Sequence, residues 1–126
     1  MKRRWTTRDI AAPAEVVWRL LVDIHRWPDW GPTVRAAELD TPRLSAGSRG
    51  RVQTAAGLWL PFEVTRFEDG RSWSWEVGGI PATDHAVKPV NGRSSQAAFG
   101  VPWVATPYLG VCAIALRRLD RLACAT

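Results

Sequence analysis

The chain is poor in the side chains that carry most catalysis and metal binding. It holds two cysteines, two histidines, one methionine and one tyrosine. Cys112 and Cys124 fall on what reads as one helix. Twelve residues at about 1.5 Å each separate them by roughly 18 Å, which excludes a disulfide between them. Free thiols suit a reducing cytoplasm, the expected location. No spacing of His, Cys, Asp or Glu makes a metal site, so no metal and no cofactor are expected. A phosphate-binding loop is missing too: Gly47-Ser48-Arg49-Gly50 is not followed by a helix. The longest uncharged apolar stretch, 108–116, is far too short for a membrane span, and polar residues follow Lys2-Arg3-Arg4 where a secretion signal would be apolar. Repeats, low-complexity tracts and linkers are absent. Charge is also thinly spread. Fifteen of the 17 basic residues are arginine, against 12 acidic residues and 17 alanines, a usage that often reflects genome base composition rather than a ligand. Beyond residues 2–4 the basic residues do not cluster, so the +5 net charge is no nucleic-acid footprint.

What is present is a chain of 126 residues, long enough for one domain spanning 1–126. A chain of this size buries roughly 13,000 Å², about two-thirds of the surface its unfolded form exposes, so a core needs no disulfide or metal. With 46% hydrophobic and 23% charged residues, wholesale disorder, collagen and coiled coil are excluded. Eight tryptophans are more indole than a small core requires.

Periodicity orders the elements. Residues 5–10 read as a strand, and Pro13 at the first helical position opens a helix to Ile24 with Val17, Leu20 and Leu21 on one face. A short helical turn over 25–30 sets Trp27 and Trp30 three apart. Strands follow over 33–39, 49–54, 58–67, 72–77, 83–90 and 93–101, with turns at Ala55-Ala56-Gly57, Asp69-Gly70, Gly78-Gly79 and Asn91-Gly92. Thr106 as N-cap and Pro107 as first residue predict a final helix of about 18 residues, its apolar arc holding Tyr108, Val111, Cys112, Ala115, Leu116 and Leu119. The sum is an α+β fold: a seven-stranded curved antiparallel sheet wrapped around a long C-terminal helix, with two short helices after strand 1. A helix about 10 Å wide cannot cover that sheet face, so a cavity between helix and sheet is expected.

This order of elements, Ile10-Ala11-Ala12-Pro13-Ala14-Glu15-Val16-Val17-Trp18, the Trp27-Pro28-Asp29-Trp30 pair, Gly78-Gly79-Ile80-Pro81-Ala82-Thr83-Asp84-His85 and Leu116-Arg117-Arg118-Leu119 resemble the START-like (SRPBCC) superfamily. Within it the sequence is similar to the polyketide cyclase/dehydrase-like group, alongside coenzyme-Q-binding and birch-pollen-allergen-like proteins. The resemblance runs from about Trp5 to Ala123 and implies a helix-grip fold with a deep hydrophobic pocket. It does not imply one function, since members include enzymes, lipid carriers, hormone receptors and regulators.

Candidate site residues follow from facing. Trp73, Trp75 and Val77 share one face of their strand and either pack or contact a ligand. Trp27 and Trp30 form either a lid or a packing staple, and Trp103 and Tyr108 either a gate or an anchor for the long helix. With Phe62, His85, Phe99 and Cys112 these make the expected ligand wall. The best catalytic candidate is His85, which the hairpin register turns inward with Val87 while Asp84 and Lys88 point out; a slip of one residue reverses this. Arg66 shares the face of Phe62 and Val64 if no bulge intervenes, where it would meet a carboxylate or an enolate. His25 reads as exposed, and Glu63 and Glu76 as outward and solvated. Three functions fit: a small-molecule binding protein for a polyketide, quinone or lipid; a cyclase or dehydratase orienting a poly-β-keto chain; or a regulatory module with a vestigial pocket. A monomer or weak homodimer is expected.

Overall fold

A computed structural model describes residues 2–125. Strand β1 (Arg3–Ile10) leads through Ala11-Ala12-Pro13 into α1 (Ala14–Val22). Pro13 stands one residue outside this helix, extended at φ −59°, ψ 149°, and its carbonyl receives the N–H groups of Val16 and Val17. Val17, Trp18, Leu20 and Leu21 are buried and Glu15 and Arg19 exposed, so α1 lays one stripe on the core. Ile24 belongs to a separate 3₁₀ turn (Ile24–Arg26), capped by the Asp23 carboxylate, which accepts from the His25 N–H. Helix α2 (Trp27–Trp30) follows directly.

Six strands then form a meander: β2 (Val34–Leu39), β3 (Arg49–Thr54), β4 (Trp59–Glu68), β5 (Ser72–Val77), β6 (Ile80–Asn91) and β7 (Ser94–Pro102). β1 closes the far side, giving one antiparallel sheet in the order β1-β7-β6-β5-β4-β3-β2. The β5–β6 turn is made by Gly78 and Gly79 alone, both at positive φ (62° and 79°), between paired Val77 and Ile80. Two consecutive positive φ values demand residues without a Cβ, and Gly-Gly supplies them. β6 starts three residues earlier than periodicity alone predicts, because Ile80 pairs as soon as this tight turn closes.

The last helix is shorter than expected. The chain leaves β7 through a 3₁₀ segment, Trp103–Tyr108, kinked at Ala105 (φ −102°, ψ 23°), and α3 spans Leu109–Cys124. Thr106 is not the cap of α3, because its hydroxyl donates back to the Trp103 carbonyl and closes the 3₁₀ turn. Cys112, Ala115, Leu116, Leu119 and Ala123 are buried against the sheet. Arg8 on β1 and Asp120 on α3 form an ion pair at 2.7 Å that ties the helix to the sheet edge. Both cysteines are free, and no helix among the described residues is long and apolar enough to cross a membrane.

Gly50 marks the tightest approach in the sheet. A Cβ there would sit 2.1 Å from the Glu38 carbonyl oxygen and 2.8 Å from the Phe62 ring. Backbone cannot yield as a side chain can, so Gly50→Ala is expected to cost about 2–3 kcal/mol and to loosen β2 from β3. Chemical denaturation measures the first effect, and amide exchange of Ala37 and Leu39 the second.

Candidate functional site

The inner face of the sheet is set by two bulges. β4 and β5 pair Phe62 with Val77 and Val64 with Trp75, then shift by one residue at Thr65 and resume at Arg66 with Ser74 and Phe67 with Trp73. The extra residue turns Phe67 inward against Trp18 (5.7 Å between rings) and Arg66 outward into solvent. Arg66 therefore lies outside the interior, and the expected meeting with a ligand carboxylate or enolate does not occur. The second bulge sets Ala82 and Thr83 of β6 against Trp75 of β5. Beyond it, Trp73 lies opposite His85, and both face inward with Val87.

His85 lies at the centre of an aromatic stack. Its ring lies 3.9 Å from Trp73 at 23°, and Trp73 lies 5.1 Å from Trp27 at 15°. Phe99, Trp30 and Trp75 close around His85 edge-on at 5.0, 5.9 and 6.0 Å. Hydrogen bonds fix its tautomer. An indole N–H only donates and a carbonyl only accepts. Trp75 Nε1–H thus donates to Thr83 Oγ1 (2.9 Å), the Thr83 hydroxyl donates to His85 Nε2 (2.9 Å), and His85 Nδ1–H donates to the Trp73 carbonyl (3.3 Å). Burial pushes the His85 pKa down to about 3, against the pull of the Trp73 carbonyl. The imidazole is neutral at pH 7, with both ring nitrogens hydrogen-bonded to protein groups.

Trp27 and Trp30 are core residues in this arrangement. They are 1% and 5% exposed, and their indole N–H groups donate to the Leu21 and Leu20 carbonyls, both at 2.9 Å. Trp73 Nε1–H also donates to the Leu21 carbonyl, at 3.0 Å. The end of α1, whose last carbonyls lack helical partners, is satisfied by three tryptophans. A lid needs freedom, and these two indoles have none.

Two hollows that share lining residues lie on the inner face of the sheet, the inner one against α3 and the outer one beyond the start of that helix. The inner one has room for only about 40 Å³ and touches Trp30, Trp73, His85, Phe99 and Cys112. The outer one, about 500 Å³, opens between the β3–β4 turn, the start of β6 and the 3₁₀ segment before α3, and its wall includes Val52, Val77, Pro81, Val101 and Ala105. Thr33, Val34, Trp75, Thr83 and Tyr108 border both. At this waist the Thr33 and Tyr108 hydroxyls meet at 2.8 Å. Burial raises the Tyr108 pKa, opposed by the bond to Thr33, and burial lifts the Cys112 thiol to about 11. Both stay protonated at neutral pH. No buried side-chain nitrogen or oxygen among the described residues lacks a partner.

Sequence reading and structure differ in other members of the wall. Phe62 packs behind Trp27 and Trp75, at 5.7 and 5.3 Å, and borders neither hollow. Trp103 is 55% exposed on the 3₁₀ segment and also borders neither. Thr83 was missed although it sits two residues before His85, on the same face of the strand. Thr33, Val52 and Val101 carried no local signal, because only strand order brings them to one mouth. A separate hollow of about 800 Å³ beside the end of α1 is lined by Asp23, Glu38, Asp40, Arg43 and Asp69, with His25 at its edge. Its wall is mixed, with Trp18, Val22, Leu39, Leu44 and Phe67 beside the charged groups, and it shares no residue with the other two.

A seven-stranded antiparallel sheet gripping one C-terminal helix defines a helix-grip domain. The chain belongs to the family described as polyketide cyclase / dehydrase and lipid transport, whose model matches residues 4–123. No curated protein matches the sequence. Among solved structures it is similar to the Zhui aromatase/cyclase from Streptomyces sp. R1128, with 14% identity, a TM-score of 0.73, and 97% of this chain and 93% of that one covered. It is similar to a protein from Mesorhizobium loti, with 17% identity and a TM-score of 0.77 over 99% and 98% of the two chains. The di-domain ARO/CYC BexL from the BE-7585A biosynthetic pathway has 17% identity and a TM-score of 0.72, with 96% of this chain and 46% of that one covered. At these identities the likeness concerns the fold.

Proposed function

We propose that this chain binds an uncharged, mainly apolar small molecule of aromatic polyketide, quinone or neutral lipid type in the outer hollow, between the β3–β4 turn, the start of β6 and the 3₁₀ segment before α3. The observation that carries this reading is the lining. The outer hollow of about 500 Å³ is within the size range of small-molecule sites, and neither it nor the inner hollow is lined by a Lys, Arg, Asp or Glu. An ionised ligand would lose its hydration there without gaining a partner, at a cost of several kcal/mol. One O–H of the bonded Thr33–Tyr108 pair remains to donate to an uncharged ligand oxygen, and Trp75 offers a ring to stack on.

The test is a matched pair of probes read by tryptophan fluorescence at pH 7. 2-Naphthol should quench saturably, with Trp75 in contact, and 2-naphthoate should bind more than about tenfold weaker. Absence of any response to naphthol overturns the binding reading. Equal affinity for the two overturns the selection for an uncharged ligand.

A second reading, a cyclase or dehydratase acting on a poly-β-keto chain, is favoured by one observation: the Thr33–Tyr108 hydroxyl pair at the waist. With Arg66 in solvent and both His85 nitrogens engaged, rate enhancement would come from holding the floppy chain in a reactive geometry, with Tyr108 as the nearest proton donor. A regulatory module with a vestigial pocket would respond to neither probe.

A further inference from the structure

Three segments surround the mouth of the outer hollow: the β3–β4 turn, the start of β6 and the 3₁₀ segment after β7. Each contributes small or apolar residues to the wall, among them Ala56, Pro81 and Ala105. Beside those residues, each also presents a large apolar side chain to solvent: Leu58 at 60% exposure, Ile80 at 69%, and Trp103 and Val104 at 55% and 69%. Exposed apolar side chains scattered singly need no explanation, but four on the rim of one opening form a patch.

Basic residues flank the same rim. The Trp103 backbone N–H donates to the Lys2 carbonyl at 3.0 Å, which sets the two residues side by side at this end of the sheet, both exposed. Arg4 lies two residues further along β1 and is exposed. The Arg35 guanidinium reaches the β3–β4 turn, where a Cβ built on Gly57 would lie 3.6 Å from its Nη1. None of the three is in an ion pair among the described residues. Of the carboxylates near this end, Asp84 is paired with Arg3 at 3.2 Å, and Glu76 points to the outer face of the sheet opposite Glu63.

We infer that this rim docks on the surface of an anionic lipid bilayer, with the mouth of the hollow facing the membrane. Leu58, Ile80 and Val104 enter the boundary between headgroups and acyl chains, and Trp103 lies at headgroup level, where an indole with an apolar body and a polar N–H is favoured. Lys2, Arg4 and Arg35 meet the lipid phosphates. An apolar cargo then passes between bilayer and hollow without crossing water. The docking goes beyond the binding of cargo and does not depend on which molecule the hollow holds.

Vesicle sedimentation of the full chain without cargo tests this. The protein should partition onto vesicles of phosphatidylcholine mixed with phosphatidylglycerol, and weakly or not at all onto phosphatidylcholine alone. Each basic residue near the surface contributes roughly a fivefold change in partitioning, so Lys2→Gln, Arg4→Gln and Arg35→Gln combined should lower it by about two orders of magnitude. High salt should release the wild-type protein. Leu58→Ser, Ile80→Ser and Val104→Ser combined should also lose binding, while the circular dichroism and naphthol titration of both combined variants match wild type. Equal partitioning onto both kinds of vesicle, or onto neither, overturns the proposal. So does a dimer seen by light scattering that the serine variant abolishes, since the patch would then be a self-interface. Because the assay is read without cargo, failure here leaves the cargo reading standing, and loss of naphthol quenching leaves this one standing.

Discussion

Trp27→Ala lowers the unfolding free energy by about 3–5 kcal/mol, the range for removing a large aromatic side chain from a core. Trp27 is 1% exposed and in ring contact with Trp73, Trp75 and Phe62. Truncation empties the space between α2 and the inner face of the sheet, and the surrounding rings are too rigid to collapse into it. The lost hydrogen bond is the smaller part of the effect, because the Leu21 carbonyl keeps its bond from Trp73 Nε1. Trp27→Phe separates the two contributions: it restores most of the volume but no N–H, and should cost about 1–2 kcal/mol. Urea unfolding followed by far-UV circular dichroism measures both. A loss below about 1 kcal/mol for the alanine variant would mean that Trp27 behaves as a mobile lid and that the stack is not a core.

Acidification should destabilise the wild-type protein through His85, and His85→Gln should remove that contribution. The folded pKa of about 3 lies below the ordinary 6.5, because burial disfavours the imidazolium. Between those values the unfolded chain holds a proton that the folded chain does not, so stability falls as pH drops from about 6.5 toward 3. The neutral imidazole contributes in full above pH 6.5. The loss accumulated by pH 3 is on the order of 3–5 kcal/mol. His85→Gln is less stable at pH 7, since the Thr83 hydroxyl and the Trp73 carbonyl lose part of their partner, but its stability falls less steeply with acid. The observable is the difference in urea midpoint between the two proteins across pH 7 to 4, which should shrink on acidification. A constant difference would show that His85 titrates alike in both states and is not buried as described. The same variant also tests chemistry: unchanged turnover of any substrate found would remove His85 from a catalytic role.

The inner face of β5 was legible in the alternation of Trp73, Trp75 and Val77, but the facing of His85 was open by one residue. The Gly78-Gly79 turn alone would set His85 opposite Ser72, and the bulge at Ala82 and Thr83 brings it opposite Trp73 and turns both inward. The stripe of Cys112, Ala115, Leu116 and Leu119 likewise marks the buried face of α3. Arg66 failed for a reason invisible to alternation: a bulge at Thr65 adds one residue, and one residue reverses facing from there on. Thr106 failed because its hydroxyl has a competing acceptor, the Trp103 carbonyl, and that competition depends on how the chain leaves β7.

The local pattern along the chain thus determined the elements, their order, the antiparallel sheet and the helix it grips, since periods of 2 and 3.6 residues and glycine turns act over a few residues. Contacts between distant segments decided the rest. Leu21, Trp27 and Trp73 are joined through one carbonyl across up to 52 residues of chain, and Thr33 reaches Tyr108 across 75. Those meetings fill the inner end of the cavity with indole and leave its outer part open, with an apolar and uncharged lining. Eight tryptophans announce surplus aromatic surface, and only the packing of the sheet on α1 and α2 assigns Trp27, Trp30 and Trp73 to the core, Trp75 to the wall and Trp103 to the rim.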